Sequence, residues 1–398
     1  LKLRLSYGVV GNQSGISRYD GMQLYNFNSV NGAYIGDGRI SYIKTSGEIA
    51  TMGRSWERIH NYNLGLDFHL FDSRLQGTVE LFMKKNNNML IAVAYPGILG
   101  DKAPASNSGK FEAKGYEGTV TWSDKIGKVN YHVGGTFTYA DNKLVDYGGV
   151  TVFKSGFVDK QQGYSLNSVF GLKYCGKIQT EEQLRKYIYK YYNSNGIGMP
   201  KDLRLGDNMY EDVNGDGKLD EKDYVYLGSD DPKISYSFNV GIEWNNFDLS
   251  AVFQGTANRT IFRDESNDNY RIPMRAAHLN STTQSVGNVW SPDNRDGRYP
   301  TYTNISTINN YNYQCSSWSV ENGNYLRLKS LTLGYNFPAS LLSKTKAISR
   351  LRIYVSGADL WEVSKINDGW DPEASRKVSG NGRFPFNRTC TVGLDVTF

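Results

Sequence analysis

The chain has 398 residues, of which 21% are charged, and its formal net charge at neutral pH is +5. With so mild a charge and no dense cluster of lysine and arginine, the sequence gives no reason to expect a nucleic-acid-binding surface. Its 29 Tyr, 17 Phe and 7 Trp, together with 42 Gly and only 10 Pro, are typical of a β-rich chain.

Segments in which apolar and polar residues alternate recur through the whole chain. A β-strand sends successive side chains to opposite faces, so each of these segments has one apolar and one polar face. Together with a weaker segment between residues 20 and 46, they predict about eleven strands. The clearest alternating segments are 1–9, 61–70, 75–83, 116–122, 129–139, 234–244, 247–253, 331–337, 351–355 and 389–398.

The last ten residues carry this alternation, with one apolar row formed by Val392, Leu394, Val396 and Phe398. A terminal strand of this kind suits the closing strand of a bacterial outer-membrane barrel, whose apolar face meets lipid and whose polar face meets the lumen. An edge strand of a soluble protein would alternate in the same way, so the pattern alone leaves both open. Because no run approaches the roughly 20 apolar residues of a spanning helix, any membrane span must consist of strands.

The connections between strands fall into two length classes. Short links alternate with long polar segments, so one end of the sheet has short turns and the other has long loops. This asymmetry is typical of outer-membrane barrels, which have their turns in the periplasm and their loops outside. The sequence therefore predicts an all-β fold, a transmembrane antiparallel β-barrel with long structured extracellular loops. The short links are 71–74, 124–128 and 245–246, with a modest one at 338–349. The long segments lie near 46–56, 92–110, 144–232, 262–322 and 363–386.

The long segment 144–232 contains a predicted helix that begins after Thr180. Thr180 is the expected N-cap, Gln183 is placed for a capping box, and acidic residues fill the first turn. We expect this helix to stabilise the loop rather than to bind a ligand. Its apolar face, which predicts packing against another part of the protein, consists of Leu184, Tyr187, Ile188 and Tyr191.

A twelve-residue part of the same loop, 212–223, has the spacing of a calcium-binding loop. Oxygen-bearing side chains stand at positions 1, 3, 5, 9 and 12, and Gly217 stands at position 6, where the chain must turn sharply. Aspartate instead of glutamate at position 12 resembles a dockerin-type loop, and a solvated acidic turn is the alternative. We expect a structural Ca²⁺ ion, with Lys218 contributing only its carbonyl oxygen. The expected ligands are Asp212, Asn214, Asp216, Lys218, Asp220 and Asp223.

Other chemistry is sparse in the sequence. Cys175 and Cys315 fall in predicted external loops, and the sequence leaves open whether they form a disulfide. There is no nucleophile elbow and no HExxH motif, so we expect no enzymatic activity. Aromatic loop residues stack on sugar rings or on peptides in some proteins, and in others they pack loops together. The candidates for a substrate site are Trp290, Tyr299, Tyr302 and Trp318.

Six segments in family-like order, which span nearly the whole chain, resemble the C-terminal part of SusC/RagA-type TonB-dependent outer-membrane transporters from Bacteroidetes. On this resemblance residues 1–398 form the C-terminal part of a TonB-dependent receptor barrel. The six segments are LKLRLSYGVVGNQSG, YNLGLDFHLFDSRLQGTVELFMKK, KFEAKGYEGTVTW, YEDVNGDGKLDEKDYVYLGSDDPKISYSFNVGIEWNNFDLSAVFQG, NYLRLKSLTLGYNFP and LRIYVSGADLWEVSK.

The resemblance implies a 22-stranded barrel in the bacterial outer membrane, of which this chain supplies about eleven strands, with the loops at the cell surface. It implies TonB-dependent active import of oligosaccharide or peptide nutrients. The implied partners are a SusD-like surface lipoprotein that acts as a hinged lid, the TonB complex, membrane lipid, and the N-terminal barrel half with its plug. We recognise no plug and no TonB box, and half a barrel would expose lipid-facing surface and two edges. We therefore expect one piece of a longer receptor.

Two other functions remain open from the residues. A passive, porin-like channel would have the same barrel without the lid. A soluble all-β glycan-binding or adhesion protein with a dockerin-like calcium loop would have similar strands. Dependence on detergent separates the soluble protein from the two membrane proteins, and a co-purifying SusD-like lipoprotein separates the importer from the channel.

Overall fold

Strand is the dominant secondary structure of the protein, and α-helix is confined to three short segments of the described residues. The all-β prediction is therefore confirmed. The computed structural model describes residues 1–28, 34–35, 38–39, 42–45, 49–92, 104–148, 156–158, 160–191, 200–262, 285–343, 347–366, 370–374 and 387–398.

The strands in chain order are β1 (Lys2–Asn12), β2 (Tyr25–Asn28), β3 (Tyr34–Ile35), β4 (Gly38–Arg39), β5 (Tyr42–Thr45), β6 (Glu57–Leu70), β7 (Leu75–Ala92), β8 (Ala105–Ile126), β9 (Val129–Asp146), β10 (Gly156–Val158), β11 (Ser168–Gly171), β12 (Tyr174–Lys177), β13 (Asn208–Tyr210), β14 (Val225–Ser229), β15 (Ile234–Trp244), β16 (Phe247–Ala257), β17 (Thr260–Phe262), β18 (Val320–Asn322), β19 (Tyr325–Asn336), β20 (Arg350–Ser364) and β21 (Thr389–Thr397). The helices are α1 (Glu181–Tyr191), α2 (Ser306–Asn312) and α3 (Ala339–Leu342). None of the helices in these ranges is long and apolar enough to cross a bilayer.

The largest sheet has ten antiparallel strands in the order β1-β6-β7-β8-β9-β15-β16-β19-β20-β21. Each strand pairs with the sheet strand that precedes it along the chain, for example β6 with β1 and β21 with β20. This up-and-down order arises because every connection reverses the chain and returns it to the edge it has just left. Transmembrane β-barrels have the same strand order.

The weaker alternating segment between residues 20 and 46 does not join the large sheet in the described residues. Its strands pair among themselves, β2 with β5 and β3 with β4. With 4 and 2 residues they are too short to cross a bilayer, which takes about 9–11 residues. The described sheet thus contains ten of the roughly eleven strands expected from the sequence.

Three of the predicted links, 71–74, 124–128 and 245–246, form tight turns at one end of the large sheet, whereas 338–349 contains α3. Asn245 and Asn246 have φ values of 45° and 72°. Both central residues of a type I′ hairpin turn need positive φ, and asparagine tolerates it better than most residues. The long connections, which run from 147 to 233 and from 258 to 324, leave from the opposite end. The predicted asymmetry of the two ends is therefore present.

The large sheet is open, because it begins at β1 and ends at β21 without pairing between these two strands in the described residues. An edge strand presents unpaired N–H and C=O groups, which hydrocarbon cannot hydrogen-bond. The sheet is consistent with one part of a barrel wall that further strands would close.

The two longest connections fold together at the long-loop end of the sheet. We call their described parts, residues 160–191, 200–233, 258–262 and 285–324, the loop body. Only Tyr311 of its main apolar core comes from the second connection, so this residue joins the two loops. The buried members of the core are Leu172, Ile178, Tyr187, Tyr191, Leu203, Tyr210, Leu219 and Tyr311.

Candidate functional site

One face of the large sheet is apolar and exposed. On the edge strands, Leu3 and Leu5 are 72% and 84% exposed, and Val392 is 76% exposed. Large apolar residues of inner strands, such as Leu64 and Val133, are exposed as well. Soluble monomers rarely expose a continuous apolar surface of this extent, whereas hydrocarbon solvates it. Among the described residues no second layer covers these rows, as the soluble alternative would require.

The apolar row of β15 has the length of a membrane span. Its members of even number run from Ile234 to Trp244, which are the two ends of this 11-residue strand. Ten steps of about 3.4 Å give roughly 34 Å along the strand, or about 25 Å across the bilayer at a tilt near 45°. The apolar band of outer-membrane barrels is about 25 Å tall. The height that β15 spans across the bilayer therefore equals the height of this apolar band.

The opposite face carries networks of charged and polar side chains. Near β1, Arg4 Nε lies 2.8 Å from Asp67 Oδ2, and Arg4 Nη2 lies 3.3 Å from Glu80 Oε2. Thr78 donates a hydrogen bond of 3.0 Å to Asp67. Gly65 makes room for this network, since a Cβ there would lie 2.8 Å from Arg4 Nη2. Such a surface suits water and not lipid.

A second network lies on the same face near the C-terminal edge. Arg352 Nη2 lies 2.6 Å from Asp248 Oδ2, and Arg352 Nη1 lies 3.3 Å from Asp395 Oδ2. Asn336 donates a 2.8 Å hydrogen bond to Asp248. Residues of four strands, β16, β19, β20 and β21, are thereby joined on the polar face.

Aromatic side chains border the apolar face at both ends. At the long-loop end the rings of Tyr116 and Tyr139 stack with centroids 5.3 Å apart. At the turn end Phe247 and Tyr335 lie 4.8 Å apart, and Trp244 is exposed beside this turn. Two such girdles mark the two membrane–water interfaces of a transmembrane barrel.

A trio of buried tyrosines holds the loop body together. The hydroxyls of Tyr187 and Tyr311 lie 2.7 Å apart, and Tyr210 N donates a 2.8 Å hydrogen bond to the Tyr187 hydroxyl. The Tyr210 hydroxyl in turn donates to the carbonyl of Tyr311 at 3.0 Å. Burial raises the pKa of all three phenols, so they remain protonated donors at neutral pH.

Buried amides link the same two connections. Asn312 Oδ1 accepts from Asn208 N at 2.8 Å, and Asn208 Nδ2 donates to the Asn312 carbonyl at 2.8 Å. Asn312 Nδ2 also donates to Asp207 Oδ1 at 2.8 Å. Burial raises the pKa of Asp207 despite this bond, because desolvation is the largest influence on the carboxylate. The sequence pattern did not reveal this link, since the partners are more than one hundred residues apart.

Helix α1 forms where the sequence predicts it, and its predicted apolar face packs into the loop-body core. Thr180 Oγ1 accepts from Gln183 N at 3.2 Å, as an N-cap does. Gln183 Oε1 accepts from the backbone N–H of Gln179 at 2.8 Å, one residue before the position that a standard capping box uses. Tyr187 and Tyr191 are buried, and Leu184 and Ile188 pack beside them.

The predicted calcium ligands lie on one ordered loop. Asp212 accepts backbone hydrogen bonds from Gly215 at 2.7 Å and from Gly217 at 2.9 Å. Asp223 accepts from Val213 at 2.9 Å and from Asp220 N at 2.9 Å, so it ties the end of the loop to its start. The carboxylate and amide oxygens are hard ligands of the kind that Ca²⁺ prefers. Three or more acidic, imidazole or thiol side chains do not converge on a metal-sized point anywhere in the described ranges.

The four aromatic candidates for substrate contact differ in exposure. Trp290 and Tyr299 are buried, and the Trp290 indole donates to Gln179 Oε1 at 2.9 Å, so both residues pack the loop body. Tyr302 is exposed, and Trp318 is half-buried with its indole donating to the Arg298 carbonyl at 3.3 Å. Of the four, Tyr302 and Trp318 are the residues that remain accessible to solvent.

The cysteines of the two loops do not form a disulfide. Cys175 is exposed on β12, whereas Cys315 is buried in a second small cluster with Val169 and Phe262. Partial desolvation by neighbouring atoms raises the pKa of the Cys175 thiol, which disfavours its reactive thiolate form. The structure thus answers the question that the sequence left open.

A buried cation holds a segment that sequence reasoning missed. Arg327 is 1% exposed and pairs with Glu362, with Asp371 at 2.7 Å and with Glu373 at 3.1 Å. Lys329 Nζ lies 3.0 Å from the same Glu373. These contacts fix residues 370–374 against β19 and β20. Removing one partner of a buried ion pair is strongly destabilising, so this attachment is firm.

A signal for this site is present in the sequence. In β19, Leu326 and Leu328 have even numbers, whereas Leu331 and Leu333 have odd numbers. Such a switch of parity indicates an inserted residue, and the register between β19 and β20 does shift between Leu328 and Ser330. β-Bulges often re-aim side chains near functional sites.

Comparisons with known proteins agree with this geometry. The profile of a family described as "TonB dependent receptor-like, beta-barrel" matches residues 1–228. TonB-dependent receptor P3 of Formosa agariphila is 28% identical over 420 residues, which cover 100% of this chain and 39% of that protein. TonB-dependent receptor SusC of Bacteroides thetaiotaomicron is 23% identical over 411 residues, which cover 100% of this chain and 37% of that protein.

Solved structures with the same fold include the RagAB peptide importer. Its "open-open" state gives a TM-score of 0.75 at 23% identity, covering 100% of this chain and 40% of that chain. Its "closed-closed" state gives a TM-score of 0.74 at 24% identity with the same coverage. The chain thus spans about two fifths of the length of the relatives it matches.

Proposed function

Because the chain belongs to the TonB-dependent receptor-like β-barrel family, we propose that it forms the C-terminal part of the barrel of a TonB-dependent nutrient importer. Family membership is the observation that carries this proposal. The relatives reported above are named as receptors and importers, and none of their names describes an enzyme.

The two faces of the sheet supply what such a barrel needs. The apolar face with its two aromatic girdles holds the wall in the outer membrane. The polar face with the Arg4 and Arg352 networks lines the aqueous interior, where the plug of a complete receptor would pack. The short turns then lie in the periplasm and the loop body at the cell surface.

The loop body shapes the external cavity and docks a SusD-like lid lipoprotein in this proposal. Its rigidity supports such a role, since one shared core and the tyrosine trio hold two long connections in a fixed arrangement. Tyr302 and Trp318 are the two sequence candidates for substrate contact that are not buried, and we expect them to contact a captured substrate. Oligosaccharides and peptides both stack on such rings.

Peptide and oligosaccharide are the two substrate classes to test. The RagAB peptide importer has the same fold, which supports the first class at the level of fold. Uptake of labelled peptide and oligosaccharide mixtures, measured in cells with and without the complete receptor that carries this chain, identifies the class that enters. Cells without the receptor provide the background.

The same uptake measurement in cells without TonB separates import from passive diffusion. An importer loses uptake without TonB, because energy for substrate release comes through that complex. A porin-like channel continues to pass substrate. Undiminished receptor-dependent uptake without TonB therefore rejects the proposed function in favour of a channel.

A further inference from the structure

The outward face of the sheet changes from apolar to charged just beyond the girdle at the long-loop end. In the register, Leu81, Tyr116 and Tyr139 form the last apolar row across β7, β8 and β9. The next outward rows contain Met83, Lys114 and Asp141, and then Lys85, Glu112 and Lys143. This change marks where hydrocarbon gives way to head groups.

Ion pairs within these rows neutralise the acidic residues. Lys85 Nζ lies 3.3 Å from Glu112 Oε1. Lys233, which immediately precedes β15, places its Nζ 2.8 Å from Asp141 Oδ1. The carboxylates of Glu112 and Asp141 are therefore each paired with a lysine from a neighbouring segment. The charge that remains on these rows is positive.

Two lysines of these outward rows have no acidic partner among the described residues. Lys114 and Lys143 are exposed and make no ion pair with any described residue. Lys114 stands opposite Asp141, and Lys143 opposite Glu112, so the two lysines are diagonal neighbours on one face. Such neighbours are about 7–8 Å apart at Cα, a spacing that one phosphate bridges with two long flexible side chains.

We propose that Lys114 and Lys143 bind the phosphate-bearing head group of a lipid in the outer leaflet. Lys114 lies two residues beyond Tyr116, which corresponds to about 7 Å along the strand. The head-group layer is about 5–8 Å thick on each side of the hydrocarbon. The Lys114 ammonium group is therefore at the depth of lipid phosphates, and the lipid chains continue along the apolar face below.

The position of the two lysines favours a lipid as the ligand. The site is continuous with the exposed apolar face, so a ligand with both a phosphate and acyl chains contacts the two together. Basic residues near a membrane surface each contribute about 1 kcal/mol to the attraction of anionic lipids. A soluble anion would gain only the charge contact.

The test compares lipid A with dephosphorylated lipid A, each added to the detergent-purified complete receptor and counted by native mass spectrometry. We expect the double variant Lys114→Gln/Lys143→Gln to bind lipid A at least roughly tenfold more weakly than the unchanged receptor. Dephosphorylated lipid A should bind both proteins equally weakly. The charge-preserving variant Lys114→Arg/Lys143→Arg should retain lipid A and shows that the site tolerates substitution.

Lys84→Gln is the matched control, because Lys84 stands opposite Ala113 at the same height and on the polar face. It should bind lipid A as the unchanged receptor does. Equal lipid A binding by the double Gln variant, equal binding of the two lipids, or an equal loss in the control overturns the proposal. The proposal rests on membrane insertion with the loops outside and not on transport. Substrate uptake by the Lys114→Gln/Lys143→Gln variant is measured separately. Its result bears on the proposed import function and not on the lipid site.

Discussion

At the scale of single residues, the loop body depends on hydroxyl groups that its core encloses. The Tyr187 hydroxyl accepts from Tyr210 N at 2.8 Å and contacts the Tyr311 hydroxyl at 2.7 Å. A buried donor without a partner costs about 1–3 kcal/mol, more than a satisfied hydrogen bond contributes. The stability of the loop body thus depends on the hydrogen bonds of a few buried hydroxyl groups.

Substituting Tyr187→Phe should therefore loosen the loop body by about 1–3 kcal/mol, since Tyr210 N loses its acceptor. Hydrogen exchange of the amides in 168–191 measures this as faster opening. Tyr189→Phe is the control, because Tyr189 lies on the same helix and is 90% exposed. Equal exchange in the two variants would contradict a structural role for the buried hydroxyl.

The same tyrosines predict a loss of stability at alkaline pH. Burial raises the pKa of Tyr187, Tyr210 and Tyr311 above the ordinary value of 10.0. Unfolding then releases protons above about pH 10, so the stabilisation is complete below that pH and decreases as the pH rises further. Protease cleavage within the loop body should be faster at about pH 11 than at about pH 9, while a constant rate would show that the phenols do not limit opening.

At the scale of secondary-structure elements, local signals were reliable where the partners are close in sequence. Thr180 directly precedes α1 and Gln183 lies in its first turn, and the cap they form follows from their spacing. The turn at Asn245 and Asn246 follows from residues that tolerate positive φ. The attachment of residues 370–374 did not follow, because Arg327 meets Asp371 across 44 positions.

The calcium site at 212–223 stays a prediction, and we expect Ca²⁺ to protect the loop between β9 and β15 from proteolysis. Asp216→Ala should raise cleavage in the presence of Ca²⁺ and abolish the effect of a chelator, because Asp216 is a predicted ligand. Glu221→Ala removes a carboxylate of the same loop that is not a predicted ligand, and it should behave like the unchanged protein. Cleavage that is identical with and without chelator in the unchanged protein would argue for a solvated acidic turn.

At the scale of the whole molecule, the two different faces of the large sheet and its open edges indicate a wall of a membrane barrel. The recognition of a TonB-dependent receptor barrel from the sequence is confirmed by the family match over residues 1–228. The exposed apolar face is unfavourable in water, and the two edges of the described sheet would be unsatisfied in hydrocarbon. A bilayer and further strands satisfy both.

A charge on the apolar face should therefore interfere with membrane folding, and the same charge on the polar face should not. Val240 lies midway along β15 with apolar parity, and Asn239 precedes it with polar parity. Val240→Arg in the complete receptor should cost about 2–4 kcal/mol of folding stability in lipid vesicles, measured by urea titration. Asn239→Arg should cost much less, and equal costs would mean that the faces are assigned incorrectly.

The sequence by itself determined the strands, their two faces, the asymmetry of the two ends and the position of α1, because each of these depends on residues within a few positions of one another. Tertiary structure alone decided that two loops share one core, that Trp290 and Tyr299 are buried in the loop body, and that no described residue forms an ion pair with Lys114 or Lys143. These features depend on partners from distant parts of the chain, such as Asn208 and Asn312, which are 104 positions apart. The alternation of apolar and polar residues determines which face of the sheet a side chain lies on. Packing and strand register determine which residue it contacts.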